Sequence, residues 1–226
     1  MPLSNRSVLD KHMMTMQEKL LQMTSLIDIA TEQALNALSA RNVQLAQQII
    51  AGDEEINQLR YDTEELAHLT LATQQPAAGD LRTIIAATHV AVELERMGDH
   101  ASGIARLVLR LEEEEDIDSL HKLPKMGKRA RKMLQESIQA FIERDTNLAL
   151  EMMKRDEKLD NQYNRLFRET IEEMKNEEYV QRATYLLWVG HNLERIGDRA
   201  INIAERVIFM ITGEFVENIG DLDDLT

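Results

Sequence analysis

The stretch Glu93–Ala101, ELERMGDHA, returns as Asn192–Ala200, NLERIGDRA. Glu95 and Glu194 stand 99 residues apart, as do Asp99 and Asp198. Each copy holds two acids four apart, a spacing that puts both carboxylates on one face of a helix. A glycine sits between them, where it costs about 1 kcal/mol against alanine. Its return in the second copy therefore needs a reason.

The surrounding residues supply it. Ile84, Ala87, Ala91, Leu94, Gly98, Ala101, Ala105 and Val108 follow one another in steps of three and four, which predicts one apolar face of a helix. Ala183, Leu186, Gly190, Leu193, Gly197, Ala200, Ala204 and Val207 repeat it. Gly98 and Gly197 lie inside stripes of small residues that let a neighbouring helix approach closely. Glu95 and Asp99 lie one row over, with Thr88, Val92, Ser102 and Arg106, at the rim of the packing face.

The rest of the chain is written in the same idiom. Twelve Met, runs rich in Ala, Leu, Glu and Gln, nine Gly, three Pro and 4% aromatic residues favour helix over sheet. Breaks fall at QQPAAGD (74–80), in the acidic stretch LEEEEDIDSLHKLP (111–124), and near residues 40–42, 144–145 and 175–179. They predict helices over 6–40, 42–74, 80–112, 123–143, 145–175 and 179–212. The first carries Leu9, Met13, Met16, Leu20, Met23, Ile27, Ala30, Ala34 and Ala37 on one face, with methionine as core filler. The expectation is an all-α protein of two pseudo-repeated three-helix bundles, residues 1–117 and 118–226.

At 226 residues with 43% hydrophobic content, the chain is long enough for a substantial core. Its net charge of −14 repels phosphate backbones and argues against a nucleic-acid partner. The absence of cysteine excludes disulfides and thiolate metal sites. No apolar run approaches the roughly 18 residues of a membrane span, and MPLSNRSVLDKH lacks the apolar core of a signal peptide. A cytoplasmic protein without membrane insertion is expected.

Polar oxygen ligands also recur on the second and fifth segments, Asp53 with Asn57 and Asp156 with Asp160. In an antiparallel hairpin, residues level with one another lie equally far from the turn. Asp53 with Asp99 and Asn57 with Glu95 both centre on residue 76, inside the proline turn. Asp156 with Asp198 and Asp160 with Glu194 both centre on residue 177, inside the break near 175–179. Level carboxylates repel unless solvated, protonated or bridged by a cation. All-oxygen ligation suits Mg, Mn or Fe; the alternative is that these acids point apart into water. His191 lies one turn before Glu194, but Val92 holds the matching place, and His89, His100 and His121 fit no pattern.

The doubled three-helix pattern, DEEIN and DEKLD, PAAGDLR at the turn, and ELERMGD with NLERIGD resemble the PhoU family. The likeness extends from the first helix to about Gly213. It implies a homodimeric, non-enzymatic regulator of phosphate uptake and phosphate-starvation signalling. Its implied partners are the phosphate ABC transporter ATPase and a phosphate-sensing histidine kinase, on which it acts as a negative regulator. It further implies multinuclear iron or zinc bound through E/D-x-x-x-D motifs, here Glu95 and Asp99, Asp156 and Asp160, and Glu194 and Asp198. Asp53 matches, with the neutral Asn57 as its partner. The rival class is a carboxylate-bridged metal enzyme, a di-iron oxidase or hydrolase on a helical bundle. It fits less well, because such bundles use Glu-x-x-His pairs that the candidate ligands lack.

Overall fold

The structure, a computed structural model, describes residues 3–111, 118–155 and 157–214. Its helices are α1 (Leu3–Ala40), α2 (Val43–Gln74), α3 (Ala78–Arg110), α4 (Leu123–Glu143), α5 (Thr146–Arg155), α6 (Glu157–Glu173) and α7 (Val180–Thr212). Together α5 and α6 occupy the place of the fifth predicted helix, so six long helical positions form two roughly three-helix bundles. Short 3₁₀ turns, Asp118–Lys122 and Glu177–Tyr179, precede α4 and α7. No helix among the described residues is long and apolar enough to cross a membrane.

The turns show why the elements stop where they do. Arg41 and Arg144 both adopt left-handed backbone, with φ of 53° and 56°. The next residue in each case, Asn42 or Asp145, donates its N–H to Ala37 or Ala140 at 2.9 Å. Their side chains then cap the following helix, accepting from the N–H of Leu45 at 2.9 Å and of Leu148 at 3.0 Å. One turn design is thus used at two places 103 residues apart, the offset that also relates Asn57 to Asp160. Further on the offset is 99, so the second hairpin is about one helical turn shorter.

All sixteen residues of the two stripes on α3 and α7 are buried. On α1, Met13 and Ala30 are half-buried and the other seven stripe residues are buried. Buried Thr24, Thr31, Thr63 and Thr170 return their hydroxyls to the carbonyl four residues back, which satisfies them without outside partners. The apolar core runs without a break from one bundle into the other. α3 packs on α7 and α1 on α4, while α1–α3 and α4–α7 pack among themselves.

The α3–α7 seam has a two-fold character. Glu93 Oε2 accepts a hydrogen bond from Asn202 Nδ2 at 3.1 Å and faces Arg199 Nη1 at 3.4 Å. Asn192 stands 99 residues beyond Glu93. Its Oδ1 lies 3.0 Å from His100 Nδ1 and 3.0 Å from where a Cβ on Gly103 would sit. His100 and Gly103 are the residues 99 before Arg199 and Asn202. Exchanging the copies therefore exchanges the contacts. At the second seam Arg131 grips Asp28 with two bonds of 2.8 Å and reaches Glu32 at 2.6 Å.

Candidate metal centre

The small-residue stripes bring the acid rows within reach of one another. A Cβ on Gly197 would lie 2.4 Å from Leu159 Cδ2, so the glycine leaves the space that Leu159 fills. Leu159 seats the next residue, Asp160, against α7. Asp160, Glu194 and Asp198 each offer an oxygen within 4.8 Å of the others. Glu194 Oε2 is closed off from solvent without a hydrogen-bond partner. His191 Nδ1 stands 3.2 Å from it, close enough to pair when the imidazole is protonated.

Burial, and then the charge on Asp198, raise the pKa of both Asp160 and Glu194. Burial also raises that of Asp198, against the opposing pull of Arg195 and Arg199. Arg195 holds Asp198 Oδ2 at 2.7 Å as an i,i+3 neighbour. Three half-buried acids with an unsatisfied oxygen form a donor set that suits a hard or borderline cation. Histidine and thiolate, the favoured zinc ligands, are not among the three. Asp156, the fourth acid predicted for this hairpin, lies outside the described residues.

The first hairpin has the same register and a looser site. The Cβ position of Gly98 lies 3.3 Å from Asp53 Oδ1 and 3.0 Å from Ile56 Cδ1, which puts Asp53 level with Gly98 and Asp99. Burial and the charge of Asp99 raise the pKa of Asp53, and burial and Asp99 raise that of Glu95. Asp99 itself is exposed, and Asn57 is half-buried. Among the described residues only the second hairpin draws three such groups together.

Sequence reasoning passed over the residue that separates the two sites. Arg60, held to Glu64 at 2.8 Å, places Nε 3.8 Å from Glu95 and supplies a fixed cation there. At the matching place on α6 stands neutral Tyr163, whose ring lies 6.0 Å from that of His191. Reading three residues past Asn57 and Asp160, R against Y, exposes this difference.

The family model described as the PhoU domain matches residues 20–108 and again 123–207. The chain belongs to the PhoU family. Each PhoU match spans one of the two hairpins and its acid pair. The chain is 38% identical over 203 residues to the phosphate-specific transport system accessory protein PhoU homolog of Pseudomonas aeruginosa, covering 89% of this chain and 84% of that protein. It is 33% identical over 214 residues to the PhoU homolog of Clostridium acetobutylicum, covering 94% of this chain and 98% of that protein. The crystal structure of PhoU from Pseudomonas aeruginosa superposes with a TM-score of 0.86 at 36% identity, over 91% of this chain and 99% of that one. The phosphate transport system regulatory protein PhoU from Streptococcus pneumoniae does so with a TM-score of 0.86 at 33% identity, over 93% and 100%. PhoU-family proteins are regulatory and not catalytic.

Proposed function

We propose that the protein is a cytoplasmic, homodimeric negative regulator of phosphate uptake and phosphate-starvation signalling. In this reading it acts on the phosphate ABC transporter ATPase and a phosphate-sensing histidine kinase, and binds neither nucleic acid nor membrane. The observation that carries it is the double PhoU-domain match, in register with two hairpins, to relatives named as phosphate transport accessory proteins. The repeats are taken as residues 1–117 and 118–226. Membership in a regulatory family sets the carboxylate-bridged enzyme aside.

Within this reading, Asp160, Glu194 and Asp198 hold a hard divalent cation, iron, manganese or magnesium, with Asp156 as a further ligand. The cation neutralises their repulsion and ties α6 to α7. Asp53, Asn57, Glu95 and Asp99 form the weaker counterpart, because Arg60 already neutralises Glu95. Zinc ranks below iron for want of histidine or thiolate among the converging ligands.

Two experiments test the two parts separately. In cells whose own relative is deleted, expression of this chain should silence a phosphate-starvation reporter when phosphate is plentiful; a reporter that stays on refutes the regulator. In metal titrations, Glu194→Gln with Asp198→Asn should remove the tighter phase, while Glu95→Gln with Asp99→Asn should keep it. Wild-type binding by both double variants would refute the metal centre.

A further inference from the structure

A chain of net charge −14 nevertheless carries one dense run of cations. From His121 through Lys132 the sequence holds six lysines and arginines with no acid among them. Most of them project from α4 toward α6, where a hollow of about 440 Å³ is lined by Lys125, Arg129, Lys158 and Arg165. A second hollow of about 490 Å³ adjoins it along α4 and adds Lys128 and Lys132. The two share Lys125, Arg129 and Lys158, so they form one furrow. It lies on the flank of α6 away from Asp160, which faces α7.

The furrow is organised around Arg129. Its Nη1 donates to the Lys158 carbonyl at 2.8 Å and to Gln162 Oε1 at 3.0 Å, both neutral acceptors that fix the guanidinium and leave its charge uncompensated. Lys125, Lys128, Lys158 and Arg165 make no ion pair with any described residue. Lys122, at one end, is paired with Glu169. Glu136, 3.6 Å from Lys132, is the one carboxylate that lines either hollow. Keeping so many like charges together is unfavourable without an anion to share.

Spacing decides which anion. Lys125, Lys128, Arg129 and Lys132 rise along α4 over about 10 Å, at 1.5 Å per residue. Lys158 and Arg165 rise beside them on α6. An extended acidic peptide turns a side chain to one face only every roughly 7 Å, so it supplies about two carboxylates along this length. A single-stranded nucleic acid needs aromatic platforms for its bases. No Phe, Tyr or Trp lines either hollow. A chain of phosphoryl groups joined by anhydride oxygens carries a charge on every unit, each phosphorus two bonds from the next. That density matches two rails of cations across a narrow furrow.

We propose that the α4–α6 furrow binds a linear phosphate oligomer, a run of several phosphoryl groups with no base attached. The proposal is independent of the acid cluster and of the regulatory reading, because it rests on the charge and shape of a different surface. Orthophosphate is too short to bridge both rails and binds weakly.

The test is isothermal titration of the full chain in metal-free buffer with orthophosphate, tripolyphosphate, long linear polyphosphate, polyglutamate and a single-stranded oligonucleotide. Affinity should climb from orthophosphate through tripolyphosphate to the long chain, with polyglutamate and the oligonucleotide at least about tenfold weaker than the long chain. With about five phosphates neutralised, log affinity should fall against log salt with a slope of roughly −3 to −4. Lys125→Gln with Lys158→Gln should weaken long-chain binding about tenfold. Lys11→Gln with Lys175→Gln, the same loss of charge at exposed sites elsewhere, should leave it nearly unchanged. Equal affinity for orthophosphate and the long chain, equal or tighter binding of polyglutamate or the oligonucleotide, equal effects of the two variant pairs, or no long-chain binding at low salt would each overturn the proposal.

Discussion

Replacing Gly197 by alanine tests the packing that builds the acid cluster. A Cβ at Gly197 would meet Leu159 Cδ2 at 2.4 Å, with Met133 Cε at 3.5 Å behind it. Carbon pairs rest at about 3.5–4.0 Å, so Leu159 must retreat by about 1 Å or more within a filled core. Overpacking of this kind costs about 1–3 kcal/mol, and alanine returns about 1 kcal/mol of helix propensity. The net loss is about 1 kcal/mol, which lowers the melting temperature of a chain this size by roughly 2–4 °C. Gly52, in the interior of α2, is the control, since nothing lies within 4 Å of its Cβ position. Gly52→Ala should gain about 1 kcal/mol and melt roughly 2–4 °C higher. Scanning calorimetry in chelator reads both. A Gly197→Ala protein that melts as high as Gly52→Ala would refute the packing role of the glycine and, with it, the seating of Asp160.

Other expectations concern charge. Folding raises the pKa values of Asp160, Glu194 and Asp198, so their ionisation works against the metal-free fold once pH climbs through the ordinary carboxyl range. Glu194→Gln with Asp198→Asn should therefore melt higher than wild type at neutral pH in chelator and equally at about pH 3, below the ordinary carboxyl values; a constant difference would contradict the repulsion. Asp28→Ala strips Arg131 of both 2.8 Å bonds across the α1–α4 seam and should lower stability by about 1–2 kcal/mol in urea titrations. His100, whose pKa is lowered by burial despite its bond to Asn192, should titrate by NMR below the usual imidazole value of about 6.5. Its neutral form then favours the fold above that range, a contribution lost as pH falls through the lowered pKa.

Much of this was legible in the sequence, because helices obey two simple periodicities. The steps of three and four that mark Ile84 to Val108 also bury them. Equal distance from a turn sets Asp53 level with Asp99 and Asp160 level with Glu194 without reference to a structure, and the fold puts Asp53 against Gly98 and groups Asp160 with Glu194. What periodicity cannot carry is the direction of a long side chain. Asp99 and Asp198 hold the same place in the repeated phrase, yet Asp99 is exposed and Asp198 half-buried. Periodicity is equally silent on Arg60, which lies 3.8 Å from Glu95 where the second hairpin has Tyr163. The basic furrow was missed for a related reason, since net charge averages over segments that the fold separates.

The exchanged contacts of the α3–α7 seam give the chain a history. Glu93 meets Arg199 and Asn202 as Asn192 meets His100 and Gly103. Such reciprocity is the signature of an isologous dimer, in which one patch recognises itself. The seam is thus a dimer interface held within one polypeptide, whose two formerly identical sides are free to diverge. They have done so here: one side of the seam carries an ion pair, and its image carries only neutral partners. A tether of this kind lets one acid row lie beside Arg60 and the other beside Tyr163, a division of labour that two identical subunits cannot make.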